Sequence, residues 1–382
     1  MWDLDSQLRE LDAQNLRRRL RAIESPQGTM IRESGRELIN FSSNDYLGLA
    51  GDERIQAALL EGIAKHGAGS GASRLVCGSL TPHRELEERL AAFKRTEAAI
   101  TFSSGYAVAL GTIPALMGSD DVIILDKLCH ASLVDAARLS GATIRVFPHN
   151  HLGKLEKLLQ SSQGRRTLVV TESIFSMDGD AAALREIVVL KDQHGAWLML
   201  DEAHAVGVLG PQGRGLAAAL DLDQRVELHM GTLSKSIGLS GGYLAASRTV
   251  IDLLINKARS LIYSTAPPPC IAHAAGVALD LIASADGDAL RSRLKQNIAQ
   301  LTASRETSHE LPAAIIPLII GDEEAAMKTS AQLHEAGFLV PAIRYPTVAR
   351  GSARLRLTLS ATHTRDQIEL LTHHLHSLGK MA

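Results

Sequence analysis

The sequence predicts an α/β protein, with a large domain built on a mostly parallel seven-stranded sheet and a smaller C-terminal α/β domain. Three observations carry that expectation. From about residue 84 the chain alternates helix-length segments with seven short apolar runs: AAITF (98–102), VIIL (122–125), TIRVF (143–147), TLVVTE (167–172), AWLMLDE (196–202), ELHMG (227–231) and GYLAA (242–246). The runs are apolar throughout instead of alternating, as expected of strands buried on both faces of a parallel sheet. Polar and charged residues fall immediately after several of them, and open α/β sheets bind ligands beyond the carboxyl ends of their strands.

Taken in order, residues 1–45 form an N-terminal segment. Leu4, Leu8, Leu11, Leu16 and Leu20 recur between charges and predict an amphipathic helix over residues 4–22. MIRESGRELINF then reads as a hairpin turning at Ser34-Gly35. The large domain spans 46–285, with ASLVDAARLSG and LREIVVLKDQHG among its helical segments. The PPP at 267–269 punctuates the chain before a long helical stretch, and the small domain spans 286–382, closing with PAIRYPTV and ARLRLTLS.

A length of 382 residues suits one large and one smaller domain. A formal net charge of −2 argues against a global attraction to nucleic acid or to an anionic membrane surface. No apolar run approaches the ~20 residues that span a bilayer. The acidic, amphipathic start MWDLDSQLRELDAQ is unlike a signal peptide. Cys77, Cys129 and Cys270 are odd in number and show no CxxC spacing, which fits reduced thiols in a cytoplasmic protein.

The residues that suggest chemistry follow the apolar runs. Ser104, Gly105 and Tyr106 stand where a strand hands over to a helix, a place suited to phosphate, although a plain glycine turn accounts for the stretch equally well. His130 occupies another such junction, and Glu172 and Ser176 follow TLVVT. Asp201-Glu202-Ala203-His204 ends the next run. DEAH there suggests a nucleotide-hydrolysing motor, but that reading needs a GxxxxGK[ST] phosphate loop; Gly153-Lys154 and Gly379-Lys380 lack both the earlier glycine and the following Ser or Thr, and Ser234 precedes Lys235. Thr232 and Lys235 come last, in GTLSKSIGLSGG, where one amine stands among small uncharged residues.

Pyridoxal 5′-phosphate accounts for the whole set. It needs a lysine to carry it, an acid to keep its ring nitrogen protonated, a phosphate cradle and a flat group against the ring. Lys235, Asp201, Gly105-Tyr106 with Thr232, and His130 supply these in turn, with His204 and Ser176 near the phenolic oxygen. Small residues leave the cofactor room and desolvate the amine, which makes it a better nucleophile and base.

Longer stretches add to this reading. NFSSNDYLGLA (40–50), GAGSGASRLVCGSLTPHRELEERLAAF (67–93), CHASL, FSMDGD, LMLDEAHAVGVLGPQGRG, SLIYST and PAIRYPTVARGSARLRLTLSA resemble the α-oxoamine synthases over nearly the whole chain. These are fold-type I pyridoxal-phosphate enzymes, aspartate aminotransferase-like, which join an amino acid to an acyl thioester with loss of CO₂. GSGASR and AIRYPTV are most similar to the members using L-alanine and a pimeloyl thioester of coenzyme A or acyl carrier protein. The glycine-using members share most other motifs.

The resemblance implies Lys235, Asp201 and His130 as catalytic residues. It implies Gly105, Tyr106, Glu172, Ser176, His204 and Thr232 as further cofactor contacts, with Ser264 and Thr265 reaching a partner's phosphate across a homodimer interface. Arg356 would clamp the amino acid carboxylate and Asn44 would lie near the reacting centre. Arg17, His130, Arg344 and Thr347 would meet substrate, although LRRRL reads equally well as a solvated basic face. Where the family has proline after PTV, this chain has Ala349, a departure that loosens the expectation for that loop. His373, His374 and His376 lie on a probable surface helix and are assigned no metal.

Overall fold

In the computed structural model, residues 2–303 and 313–380 are described. They form two compact units: Leu49–Ser176 with Asp180–Ser292, and Met1–Gly48 with Met177–Gly179 and Arg293–Ala382. The first strands in the chain, β1 (Met30–Glu33) and β2 (Arg36–Asn40), make the expected hairpin. Its turn residues, Ser34 at φ 50° and Gly35 at φ 74°, are both left-handed, as a tight two-residue hairpin turn requires.

The larger unit holds seven strands: β3 (Ala98–Phe102), β4 (Val122–Asp126), β5 (Thr143–Phe147), β6 (Thr167–Glu172), β7 (Trp197–Asp201), β8 (Leu228–Thr232) and β9 (Gly242–Ala246). They lie in the order β3-β9-β8-β7-β6-β4-β5. All the pairs from β8 to β5 are parallel, and β9 alone runs against its two neighbours. Strands β3, β4, β8 and β9 are buried at every residue, which explains why their sequences are apolar without alternation. The edge strand β5 is the least covered, with Arg145 and Val146 exposed.

Helices Gly105–Leu116 and Ala131–Ser140 pack beside one another over a core that includes Phe102, Ile123, Leu133, Val170 and Met199. The apolar helix Pro269–Ala283 packs against Glu53–His66 and Thr81–Lys94, so its composition belongs to a core element. Among the described residues no single helix is long and apolar enough to cross a membrane.

In the smaller unit, β10 (Ile315–Gly321), β12 (Ala342–Ile343) and β13 (Ala353–Thr358) form an antiparallel sheet in the order β10-β13-β12. The short β11 (Phe338–Leu339) joins the hairpin by pairing parallel with β2.

The expected helix over 4–22 is shorter, ending at Ala13. Asn15 at φ 55° is in the left-handed conformation that stops helices, and none of the helix's residues is buried, so packing does not extend it. Leu20 is fully exposed.

His363 is buried in the smaller unit, stacked on Phe41 with ring centroids 4.2 Å apart. Its Nδ1 accepts the Ser360 N–H at 2.9 Å, and Nε2 faces the Asn40 carbonyl at 3.1 Å, a pattern that suits a neutral ring. Burial pushes its pKa down to about 4, against those two backbone bonds. The unfolded chain therefore binds the extra proton first. Stability is lost as pH falls from about 6.5 towards 4, on the order of 3 kcal/mol in all. Urea midpoints for wild type and His363→Gln should diverge at pH 7.5 and converge near pH 4.5; parallel midpoints across that range would contradict it.

Candidate active site

The rim formed by the carboxyl ends of the strands gathers the predicted residues of the larger unit. Glu172 closes β6 and Asp201 closes β7, and the two are paired in register. In parallel strands such neighbours project to the same face. Asp201 is buried, and its Oδ1 accepts the Ala203 N–H at 2.9 Å. Its carbonyl takes both the N–H and the hydroxyl of Ser173, at 2.8 and 3.1 Å, which fixes the strand end. Burial raises the Asp201 pKa, while the charge on Lys235 and the bond from Ala203 pull it back. An acid held this way is kept ionised by a cation brought against it.

Lys235 follows β8, and its Nζ stands 2.9 Å from Nε2 of the buried His204. His130 caps the helix Ala131–Ser140, with Nδ1 2.8 Å from Ser132 Oγ and accepting the Ser132 N–H at 3.3 Å. His130 is exposed overall, yet the protein packed around its ring displaces enough water to hold its pKa down, against the pull of Asp201. Glu172 is buried, and its pKa is raised by desolvation and then by Asp201. The charge on Lys235 and the nearby backbone N–H groups of His130 and Ser176 pull it back.

The phosphate side is built from backbone. Ser104 caps the helix Gly105–Leu116 by accepting the Ala107 N–H at 3.1 Å. At the start of a helix the N–H groups of Gly105 and Tyr106 have no intrahelical acceptor, and the helix dipole favours an anion there. Gly105 faces Thr232: a Cβ added to it would lie 3.7 Å from the Thr232 Cβ. Thr232 Oγ1 is bonded to the Gly241 carbonyl at 3.0 Å and lies 2.8 Å from Ser234 Oγ. Ser234, exposed beside Thr232, had no distinguishing signal in the sequence beyond its place in TLSK. Gly242 packs so closely on the helix start that its own Cβ would sit 2.7 Å from the Gly105 nitrogen. The Tyr106 hydroxyl is turned to Asp135.

Behind the rim, Glu202 is paired with the buried Lys94, which also donates to the Arg214 carbonyl at 2.5 Å. Burial works to raise the Glu202 pKa, but the charge and hydrogen bonds of Lys94 and His229 together outweigh it and bring the value down to about 2. The glutamate of DEAH is thus a structural anchor for the strand end and not a metal-binding acid.

Ser264 and Thr265 sit beside the GSGASR segment: Thr265 bridges to Ser73, and Ala266 donates to the Ala72 carbonyl at 3.0 Å. The other predicted residues belong to the smaller unit. Arg356, buried on β13, donates from both terminal nitrogens to Asn44 Oδ1 at 3.1 Å. Arg17 pairs with Asp12 at 2.6 Å, and it is Arg18 that donates to Thr347, at 3.1 Å. Arg344 donates to the carbonyls of Asn15 and Arg17 at 2.5 and 3.2 Å.

The residues present fit pyridoxal phosphate: an amine beside an imidazole, a buried acid, and a helix start kept open by glycine. This is the site of a fold-type I pyridoxal-phosphate enzyme. Residues 36–375 match the aminotransferase class I and II family. An 8-amino-7-oxononanoate synthase from Geobacter sulfurreducens is 46% identical over 98% of this chain and 97% of its own, and one from a Janthinobacterium species is 46% identical with the same coverage. The serine palmitoyltransferase of S. paucimobilis, solved with bound cofactor, has a TM-score of 0.92 and 29% identity, covering 98% of this chain and 97% of its own. The chain belongs to the class I and II aminotransferase family, in its α-oxoamine synthase branch, and its cofactor is pyridoxal phosphate.

Gly242→Ala should push the helix start off Thr232 and weaken cofactor binding about tenfold or more, a loss of the size expected for a disturbed charge-assisted contact. Titrating the apo-protein with pyridoxal phosphate measures it, and an unchanged affinity would show that Gly242 does not shape the cradle.

Proposed function

We propose that the chain catalyses the decarboxylative condensation of L-alanine with a pimeloyl thioester, on coenzyme A or an acyl carrier protein. The products are 8-amino-7-oxononanoate, the free thiol and CO₂, a step of biotin biosynthesis. The observation that carries the reading is the Lys235 amine against His204 on the same rim as buried Asp201, in a chain 46% identical along nearly its whole length to an enzyme of that activity.

When bound, the cofactor supplies an aldehyde that condenses with amines and a protonated ring that takes up electrons from the carbon being deprotonated. The chain does the rest. Ionised Asp201 would keep the ring nitrogen protonated, His130 would supply the flat group against the ring, and His204 and Ser176 would hold its phenolic oxygen. The N–H groups of Gly105 and Tyr106, with Thr232, would hold the phosphate, and buried Glu172 is assigned to orienting the cofactor or substrate. Lys235 carries the cofactor between turnovers and serves as the base that takes the Cα proton of alanine. Arg356, oriented by Asn44, clamps the alanine carboxylate, a planar two-point contact suited to a guanidinium. Arg17, Arg344 and Thr347 are assigned to the acyl substrate.

We further propose a homodimer, in the cytoplasm, in which Ser264 and Thr265 reach the partner's phosphate. Leu75, Val76 and Tyr263, exposed at 53%, 77% and 72%, flank the Ser73–Thr265 bridge and give a second copy an apolar surface to cover.

Lys235→Ala should release no product above background while still binding cofactor through its phosphate; turnover in that variant would end the proposal. Arg356→Lys should raise the KM for alanine by about 10- to 100-fold, since one charge replaces a two-point clamp. Product formation from pimeloyl-CoA with alanine, against glycine, tests the substrate; a preference for glycine would move the chain to another branch member's reaction. Sedimentation equilibrium should return twice the chain mass, and a monomer would exclude the shared site.

A further inference from the structure

Beyond β5 the chain runs Pro148-His149-Asn150, which belongs to none of the motifs assigned above. The His149 ring is engaged on both sides. Nδ1 lies 3.1 Å from each carboxylate oxygen of Asp126, and Nε2 lies 2.6 Å from Asp180 Oδ2. Asp126 ends β4, just ahead of the turn that presents His130, and Asp180 ends the FSMDGD loop that contains Ser176. An imidazole with a carboxylate at each nitrogen donates from both and is therefore a cation. Burial works against that charge, but the two acids outweigh it and push the pKa up to about 10. The edge of Phe175 packs against the ring at 4.3 Å between centroids.

Asn150 repeats the connection. Its backbone N–H donates to Asp126 Oδ2 at 3.0 Å, its side-chain amide donates to the Ala181 carbonyl at 3.0 Å, and its Oδ1 accepts the Ala183 N–H at 3.1 Å. His149 and Asn150 thus tie the end of β4 to the far end of the FSMDGD loop.

We infer that His149 is a positioning residue of the cofactor site, a charged clasp between Asp126 and Asp180 that fixes the His130 turn relative to the Ser176 loop. The inference rests on the reading that His130 and Ser176 meet the cofactor. A clasp that only added stability would leave the site's affinity and spectrum alone; a positioning clasp acts through Ser176.

The test uses full-length His149→Gln, Asp180→Asn, Ser176→Ala and the His149→Gln/Ser176→Ala double variant. Apo-protein is titrated with pyridoxal phosphate, the visible absorbance of the bound cofactor is recorded, and kcat and KM for L-alanine are measured. His149→Gln and Asp180→Asn should each weaken cofactor binding about tenfold, as losses of supporting partners do at other sites. Both should shift the absorbance and lower kcat more than they raise KM. Losses from His149→Gln and Ser176→Ala should fall short of multiplying in the double variant, the mark of two groups acting through one contact. Asp180→Asn, an isosteric change on a loop, carries the same prediction if His149→Gln does not fold. Wild-type affinity and absorbance in either folded clasp variant, or losses that multiply fully, would overturn the clasp. Wild-type affinity and absorbance in Ser176→Ala alone would instead overturn the cofactor-site reading, and the inference with it.

Discussion

Asp201 is the constraint around which the larger unit is arranged. A carboxylate in a buried position is costly unless positive charge and hydrogen bonds compensate it, and neighbouring elements of the chain contribute to that compensation. The Ala203 N–H, the Lys235 amine and His130 all draw its pKa back down, while Ser173 locks the peptide that bears it. Immediately behind it, Glu202 is neutralised by Lys94 and extends the same strategy into the core. The two acids of DEAH are adjacent in sequence and differ in surroundings: Asp201 lies on the rim of strand ends near Lys235, while Glu202 is paired with Lys94 behind it.

Most of the larger unit was legible because a strand covered on both faces leaves an unambiguous trace. Fully buried β3, β4, β8 and β9 are mostly apolar, with polar side chains at few positions such as Thr101, Asp126 and His229, and their limits agree with the apolar runs to within a residue. The rim residues were legible for a related reason, since parallel strands deliver their last residues to one edge. Sequence reading failed where no packing enforces the pattern. The leucine spacing beyond Ala13 looked helical, but a segment with nothing to bury against is governed by its local stop signal at Asn15.

Other features were invisible because they depend on partners far away in the chain. Nothing about His149 in PHNH distinguishes it from a solvated loop histidine; its meaning comes from Asp126 and Asp180, brought to it by the end of β4 and by a loop. Gly242 looks like one more small residue in a glycine-rich stretch, and only the antiparallel course of β9 puts it against Gly105. Arg18 and not Arg17 donates to Thr347, a choice between neighbours that spacing cannot make.

The position of β9 also bears on how the protein is made. Strand β3 pairs only with β9, whose residues follow it by well over a hundred positions. During synthesis β3 therefore leaves the ribosome as an apolar segment with both edges open, and must wait until the rest of the sheet has emerged. The same delay is longer still for β2, whose second neighbour, β11, comes from near the end of the chain. Such non-local pairing slows folding and prolongs the exposure of sticky edges.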